Sequence, residues 1–249
     1  MIKIILLISI MSTQYLFALV SIAPMEIGEK EGIHGNASFG FETKRGNTNK
    51  DNYKGSAKVS YDNNIDYVTW GEVSAEYGEA NHVQDTNKQY LHLRYIHAIT
   101  KKGIRYELFG QLEENKFKRI KNRTLLGGGL RFKIFEIFKD GRGYLGLGTF
   151  YEDISYLSND PHENNIRLNT YFAYTAKFGI DSRITYTLYY QPKIEDVSDH
   201  IYSQKLQLQL FIYEQLFLNF QIAYDTDTKP AIGVEKYDFT QTTSFMYKF

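Results

Sequence analysis

The sequence predicts an all-β protein, a transmembrane antiparallel β-barrel, and three observations lead to that prediction. Apolar and polar residues alternate with a period of two in about twelve segments of roughly ten residues, the length of a tilted strand that crosses a bilayer. Aromatic residues make up 16% of the chain, with 21 Tyr and 17 Phe. The mean hydropathy of −0.41 is too polar for a membrane protein built from helices.

The composition argues against several functional classes. The chain carries 29 Lys and Arg against 29 Asp and Glu, so it has no excess of positive charge with which to neutralise phosphates, and no nucleic-acid partner is expected. It has 0 Cys, which excludes disulfides, thiolate metal sites and cysteine nucleophiles. The 6 His show no metal-ligand spacing, so we expect no metal site and no cofactor.

The first residues differ from the rest of the chain. Lys3 is the only charge in residues 1–23; an apolar run follows it, and small residues occur at Ala18, Ser21 and Ala23. This order is typical of a secretory signal peptide, here cleaved between residues 18 and 23. The alternative is an uncleaved membrane anchor. Residues 24–249 are then the mature barrel, exported across the inner membrane of a Gram-negative bacterium.

The alternation is clearest in the first predicted strand, where Ile33, Ala37 and Phe41 share one face and the polar residues share the other. Successive side chains of a strand point to opposite faces, so such a segment presents one apolar and one polar face. The other predicted strands cover residues 53–61, 67–77, 89–99, 104–113, 123–135, 144–153, 166–178, 183–191, 201–213, 216–225 and 237–249.

The predicted connections alternate between short turns and longer polar loops. Transmembrane barrels have this asymmetry, with short periplasmic turns and longer outer loops. A soluble β-sandwich is the alternative, although its strands are usually shorter. The short turns are predicted at residues 62–64, 100–103, 139–141, 179–182 and 214–215, and the longer loops at 46–51, 78–87, 115–120, 157–164, 192–199 and 226–236.

Aromatic residues mark the chain end and the strand ends. Phe245, Tyr247 and Phe249 share one face of the last strand, a pattern that resembles the assembly signal of bacterial outer-membrane barrels. It predicts the outer-membrane bilayer and the barrel-assembly machinery as partners, with the oligomeric state left open. Tyrosines such as Tyr144 and Tyr151 are expected in the girdles at the two membrane interfaces.

Three further stretches resemble the salt-induced outer-membrane protein family, a domain of unknown function numbered 481. They are Arg-Gly-Asn-Thr at residues 45–48, the Arg-containing glycine-rich strand at 122–130, and the last long loop beginning at Asp225. The resemblance covers nearly all of the mature chain. It implies an outer-membrane barrel with no established activity.

Charged residues of both signs lie on the polar face and therefore point into the predicted lumen. We expect a charge-filled, closed lumen and an envelope-structural or stress-related role; the alternative is a small-solute channel. Gly146 and Gly148 are expected to leave room for Lys133 and Arg131. The expected lumen charge network consists of Glu72, Arg94, Arg105, Glu107, Arg123, Arg131, Glu152 and Arg167.

A turn near residues 82–83 would place Glu72 directly opposite Arg94 and Ser74 opposite His92. The first pair is the clearest predicted ion pair of the lumen. The second, beside a carboxylate, suggests a lipid hydrolase. However, Ser74 points away from lipid and no Gly-x-Ser-x-Gly motif occurs, so no catalytic residue is assigned and the protein is expected not to be an enzyme.

Overall fold

A computed structural model of the chain describes residues 25–44, 50–80, 83–100, 103–135 and 141–249. These residues form twelve strands and no helix. The strands are β1 (Gly32–Lys44), β2 (Lys50–Asp62), β3 (Tyr67–Ala80), β4 (Val83–Ala98), β5 (Ile104–Asn115), β6 (Ile120–Phe135), β7 (Gly141–Tyr156), β8 (Glu163–Phe178), β9 (Ser182–Pro192), β10 (His200–Tyr213), β11 (Leu216–Asp227) and β12 (Tyr237–Lys248).

The strands close into one barrel in which each pairs with its neighbours in sequence and β1 pairs with β12. Every ladder is antiparallel, and the predicted transmembrane barrel is confirmed. We call the end that holds both β1's start and Phe249 the near end; the connection after β2 also lies there. The opposite end, with the connections after β1, β3, β5, β7, β9 and β11, is the far end.

The barrel is apolar outside and polar inside, because the two faces of each strand differ. In β7, Leu145 and Leu147 are 43% and 58% exposed, whereas the alternate residues Phe150 and Glu152 are buried. A row of outward tyrosines on β2 to β5 joins ring to ring near the near end, with centroids about 6 Å apart. These are Tyr61, Tyr67, Tyr95 and Tyr106. The outer face is therefore suited to lipid.

One of the tyrosines predicted for the girdle lies elsewhere. Tyr151 is exposed on the outer face, but Tyr144 is 1% exposed and points into the lumen. The two positions differ by an odd number of residues, so they cannot share a face of one strand. The prediction for Tyr144 was wrong.

The connections are less regular than predicted. The predicted long loop at residues 78–87 is a tight hairpin, because β3 extends to Ala80 and β4 begins at Val83. Among the connections that the structure describes completely, the far-end ones at residues 157–162, 193–199 and 228–236 are clearly longer than the near-end turns. The tight hairpin arises because polar residues such as Thr86 and Asn87, which pair with Gly78 and Tyr77, continue the strand pairing beyond the apolar belt.

The same hairpin corrects the predicted register between β3 and β4. Glu72 faces His92, Ser74 faces Tyr90, and Arg94 faces Trp70. The predicted pairs of Glu72 with Arg94 and Ser74 with His92 were therefore wrong by two residues. The described pairing ends with Ala80 opposite Val83, and a register irregularity follows Gly78. A shift of two preserves which face each side chain occupies, so all four residues still point into the lumen.

The predicted signal peptide, residues 1–23, and the resemblance at residues 45–48 lie outside the described residues. In the described part of the chain, no helix has the length and apolar character needed to cross a membrane.

Candidate functional site

One half of the lumen, along β4 to β9, is packed with paired charges and aromatic rings. At mid-height Arg94 Nη1 donates to Glu107 Oε2 at 3.3 Å, and both side chains are buried. The Arg94 guanidinium also lies 5.1 Å from the ring centre of Phe109. Arg94 therefore pairs with the carboxylate of β5 instead of the one predicted on β3.

Toward the far end, Glu152 joins two arginines. Its Oε1 accepts from Arg123 Nε at 2.7 Å and its Oε2 accepts from Arg167 Nε at 2.7 Å. Arg167 Nη2 also donates to Asp199 Oδ1 at 2.9 Å. These charges are buried but each has an opposite partner, so the network links β6, β7, β8 and Asp199 in the loop directly before β10.

A glycine makes room for the packing of this half. In the β6–β7 ladder Gly146 faces Arg131 and Tyr144 faces Lys133. The prediction had placed Gly148 opposite Arg131 and Gly146 opposite Lys133, so it was wrong by two residues. A Cβ at Gly146 would lie 1.9 Å from the ring of Tyr171, which packs on Tyr189 with centroids 5.1 Å apart. The space at Gly146 is thus filled by an aromatic ring of β8, whereas the sequence suggested long cationic side chains.

The other half of the lumen, along β1 to β3 and β9 to β12, encloses a polar cavity of about 490 Å³. Hydroxyl and amide side chains line much of it, including Ser56, Gln207 and Asn219. Cations outnumber carboxylates on its surface. The cations are Lys30, Lys54, Lys58, Lys88, Lys177, Arg183, Lys205 and Lys248, and the carboxylates are Glu26, Glu29, Asp62, Glu72 and Asp181.

The barrel wall itself is more cationic than this comparison suggests. Glu26, Glu29 and Lys30 belong to the segment before β1, so the wall without that segment has seven cations and three carboxylates. Within the described part of the chain, neither Lys54 nor Lys58 forms an ion pair; the Lys58 ammonium lies over the Trp70 ring at 4.8 Å. Glu72 faces Lys58 across the β2–β3 ladder and lines the cavity, away from Arg94. The cavity therefore has a positive wall.

Residues 25–31 form a plug that enters the near end of the lumen and lines the floor of the cavity. The Glu26 carboxylate accepts hydrogen bonds from Arg105 and from the Tyr144 hydroxyl. Arg131 Nη1 donates to the Met25 carbonyl at 3.3 Å, and Gly28 N donates to Asp62 Oδ2 at 2.7 Å. Two members of the expected charge network, Arg105 and Arg131, thus bind the plug.

Glu29 holds the plug to the wall formed by β7, β8 and β9. Its Oε1 accepts from Arg183 Nη2 at 2.7 Å and lies 3.0 Å from Lys177 Nζ, and its Oε2 lies 3.4 Å from Arg142 Nη1. Burial alone raises the pKa of Glu29, but these cations outweigh it and leave the pKa below its usual value. The carboxylate is therefore ionised at neutral pH.

The plug also covers an apolar patch inside the polar lumen. Val68, Trp70 and Ile96 are buried together on β3 and β4, and Met25 and Ile27 pack against them. The plug was not predicted from the sequence. Val68, Trp70 and Ile96 did indicate it, because they are apolar residues on the lumen face and need an apolar segment to cover them.

At the far end, residues 228–236 form a lid across neighbouring loops. Ile232 donates its N–H to Asp160 Oδ2 at 2.9 Å and accepts from Arg119 Nη1 at 2.8 Å through its carbonyl. Lys229 pairs with Asp196 at 2.6 Å. Ala231, a residue of the lid, has its side chain buried on the inner side, where it lines a small cavity of about 40 Å³.

The last strand presents its aromatic residues outward. Phe245, Tyr247 and Phe249 are each between 52% and 55% exposed on the lipid face. Phe249 and Gly35 exchange two backbone hydrogen bonds, of 2.9 and 3.0 Å, at the seam between the chain ends. The three residues therefore lie together on the outer face, next to the seam.

Comparison with known proteins identifies a family. The family described as "Protein of unknown function, DUF481" matches residues 37–249, as the resemblance in the sequence had predicted. Among curated proteins no relative matches the chain.

Solved structures with a similar fold are known. The KdgM porin is 12% identical with a TM-score of 0.48, covering 87% of this chain and 99% of that one. The NanC porin is 12% identical with a TM-score of 0.49, covering 86% and 97%. The translocator domain of the autotransporter NalP from Neisseria meningitidis is 9% identical with a TM-score of 0.48, covering 89% of each.

Proposed function

The chain belongs to the DUF481 family, and we propose that it forms an outer-membrane β-barrel that passes small anionic solutes. A lipid-facing exterior, a lumen and a cationic cavity are the features that support the proposal. In this proposal the near end faces the periplasm, because the longest described connections, residues 157–162, 193–199 and 228–236, lie at the far end, where outer loops are expected. The protein acts without catalysis.

The single observation that carries the proposal is the positive wall of the 490 Å³ cavity. A barrel built only for strength would balance its lumen charges throughout, as the packed half does with Arg94 and Glu107. Along the open half, Lys54 and Lys58 lack ion pairs within the described residues and face a space large enough for water and small ions. Fixed cations in a pore attract anions and repel cations.

A second candidate is the structural role favoured by the sequence alone. The observation in its favour is the packed half, where Glu152 and two arginines rigidify the wall. The two functions differ in one measurable property, since a purely structural barrel need not conduct ions.

The proposed lipid hydrolase lacks its expected geometry. Ser74 faces Tyr90 and His92 faces Glu72, and these positions lie on the lumen side of β3 and β4. His92 stacks between Tyr90 and Phe109, with ring centroids 6.2 Å apart on each side. A nucleophile in that position would not meet membrane lipid.

The channel proposal is tested by single-channel recording of the purified barrel in planar bilayers. We expect discrete conductance steps, and a reversal potential in a salt gradient that indicates preference for chloride over potassium. Lys54→Glu should reduce that preference, whereas Lys236→Glu, which makes the same charge change in the exposed lid, should leave it nearly unchanged. Absence of conductance would favour the structural role.

Location and assembly are tested together. We propose that the barrel-assembly machinery recognises the last strand, so Tyr247→Ser with Phe249→Ser should lower recovery of the folded barrel in the outer-membrane fraction. Tyr237→Ser with Phe239→Ser removes two exposed aromatics from the far end of the same strand and serves as the control. Equal recovery of both variants, or recovery of the parent in the inner membrane, would contradict the proposal.

A further inference from the structure

The near end of the lumen holds three cations around one carboxylate. Arg142 lies at the start of β7, Lys177 at the end of β8 and Arg183 at the start of β9, and all three contact Glu29. Lys177 and Arg183 face each other directly in the β8–β9 ladder. Like charges opposite each other destabilise a sheet unless an anion lies between them. The wall of the barrel thus presents a site that requires an anion.

The anion now in this site comes from a part of the chain that is easier to move than the wall. Glu29 belongs to the plug, which is not part of any strand, whereas the three cations belong to the barrel ladder. The cations are also reachable, since the side chains of Lys177 and Arg142 are 41% and 30% exposed. A solute that arrives at the near end can therefore meet the site without entering the packed half.

We propose that Arg142, Lys177 and Arg183 form a binding site for small organic carboxylates, and that Glu29 occupies this site as an internal competitor. A solute carboxylate that takes the place of Glu29 keeps the three cations neutralised and frees one side of the plug. Arg183 and Lys177 continue directly into the cation-lined cavity. The inference deepens the proposed function by naming its solute class, and it rests on that function for its physiological meaning.

Because Glu29 competes for the site, its removal should change the affinity for a free carboxylate. A tethered carboxylate has an effective concentration on the order of millimolar or higher, so it weakens the apparent affinity for a free competitor. Removing the Glu29 charge should therefore increase the affinity for a free carboxylate about tenfold or more. Glu31 provides the matched control, because it lies two residues away and is exposed. Glu31 Oε2 accepts a hydrogen bond from Asn64 Nδ2 at 3.3 Å, outside the site.

The test is calorimetric titration of the full barrel in micelles at low salt with citrate and with succinate. Glu29→Gln should bind both at least about tenfold more tightly than the parent and than Glu31→Gln, which has the same net charge. Adding Arg183→Gln to Glu29→Gln should abolish the gain. Retained folding of each variant is checked by its heat-dependent mobility in gels. Equal affinities of Glu29→Gln and Glu31→Gln, or equal binding of inorganic phosphate, would overturn the proposal.

Conductance separates this inference from the proposed function. If Glu29→Gln gains carboxylate affinity but neither it nor the parent conducts, the site stands and the channel fails. If the parent conducts anions and Glu29→Gln shows no gain in carboxylate affinity, the channel stands and the competitor role of Glu29 is wrong.

Discussion

At the scale of single residues, the lumen is specified by partners that lie on different strands from those a hairpin alone suggests. Arg94 pairs with Glu107 on β5, and Glu72 faces Lys58 on β2 and His92 on β4. Each lumen residue has neighbours on both sides in a closed barrel, so charge type restricts its possible partners without selecting one. The partner is selected by register and by side-chain length.

The Arg94–Glu107 pair gives a stability prediction. Glu107→Ala leaves a buried guanidinium without its carboxylate and should destabilise the barrel by about 3–5 kcal/mol, while Arg94→Met with Glu107→Ala should cost clearly less. The measurement is a double-mutant cycle on urea-induced unfolding in lipid vesicles. If the costs of the single variants simply add, the two groups are not coupled as the 3.3 Å contact indicates.

Gly146 gives a second prediction at this scale. Gly146→Ala should destabilise the barrel by about 1–3 kcal/mol, because its methyl group would collide with the ring of Tyr171 inside a packed region. Gly55→Ala is the control, since a Cβ there has nothing within 4 Å. Both are measured by the midpoint of urea unfolding. A cost at Gly55 as large as that at Gly146 would show that the effect comes from the backbone, not from Tyr171.

At the scale of elements, the seam between β1 and β12 is the least extensively paired ladder. It contains four partner pairs, from Asn36 with Lys248 to Phe39 with Phe245, whereas β1 pairs with β2 along its whole length. The seam is anchored at the near end by the two bonds between Gly35 and Phe249. Beyond Phe39, the far half of β1 is held by β2.

Because the β1–β12 seam is paired over only part of β1, we expect the amide hydrogens along β1 to exchange at different rates. Hydrogen-bonded pairs alternate along an antiparallel ladder, so the amides of Gly35, Ala37 and Phe39 face β12. By the same alternation the Phe41 amide faces β12 beyond the last pair. Residue-resolved hydrogen exchange should show Phe41 exchanging faster than Ala37, because only the latter lies within the paired part of the seam.

The neighbouring amide of Gly40 is the internal control for that measurement. It faces β2, where Gly40 pairs with Lys54, so it should be as well protected as Ala37. Protection of Phe41 equal to that of Ala37 would mean that the seam is bonded further than four pairs.

At the scale of the whole molecule, one segment at each end of the lumen is held through carboxylates. The plug uses Glu26 and Glu29 at the near end. At the far end Asp160 and Asp196 hold the lid. Both ends are thus fixed by charge-assisted bonds that depend on ionised carboxylates.

We expect the attachment of the lid to depend on pH. Hydrogen bonds from Ser158 and from the Ile232 N–H lower the pKa of Asp160 below its ordinary 3.8, and the bonds from Lys229 and Ser198 lower that of Asp196. A lowered pKa means that the lid contact is fully present above about pH 3.8 and is lost as the pH falls below that value. Neutral conditions therefore keep the lid closed.

The measurement uses Ala231→Cys, whose thiol is the only one because the chain has 0 Cys and whose position is 6% exposed. Its rate of reaction with 4,4′-dithiodipyridine, divided by the rate of free cysteine at the same pH, should be low at pH 7 and rise below pH 3.8. Asp160→Ala should raise this relative rate at pH 7 already. A lid that stays closed at pH 2 in the parent would show that these carboxylates do not hold it.

The sequence by itself determined the barrel and, apart from Tyr144, which side chains point into the lumen. Alternation is local, since it depends only on neighbouring residues along the strand, and it survives an error of two in register. Glu72, Arg94 and His92 were therefore placed in the lumen correctly while their partners were not. The family membership followed from motifs read the same way, along the chain.

Only the tertiary structure decided how the lumen is used. The plug has no period of two, and its binding site combines Arg142, Lys177 and Arg183 from three strands with Glu29, which lies far from them in sequence. Likewise, the division into a packed half and an open half depends on how far each side chain reaches across the closed barrel. Closure brings distant residues together, and these contacts leave no periodic trace in the sequence.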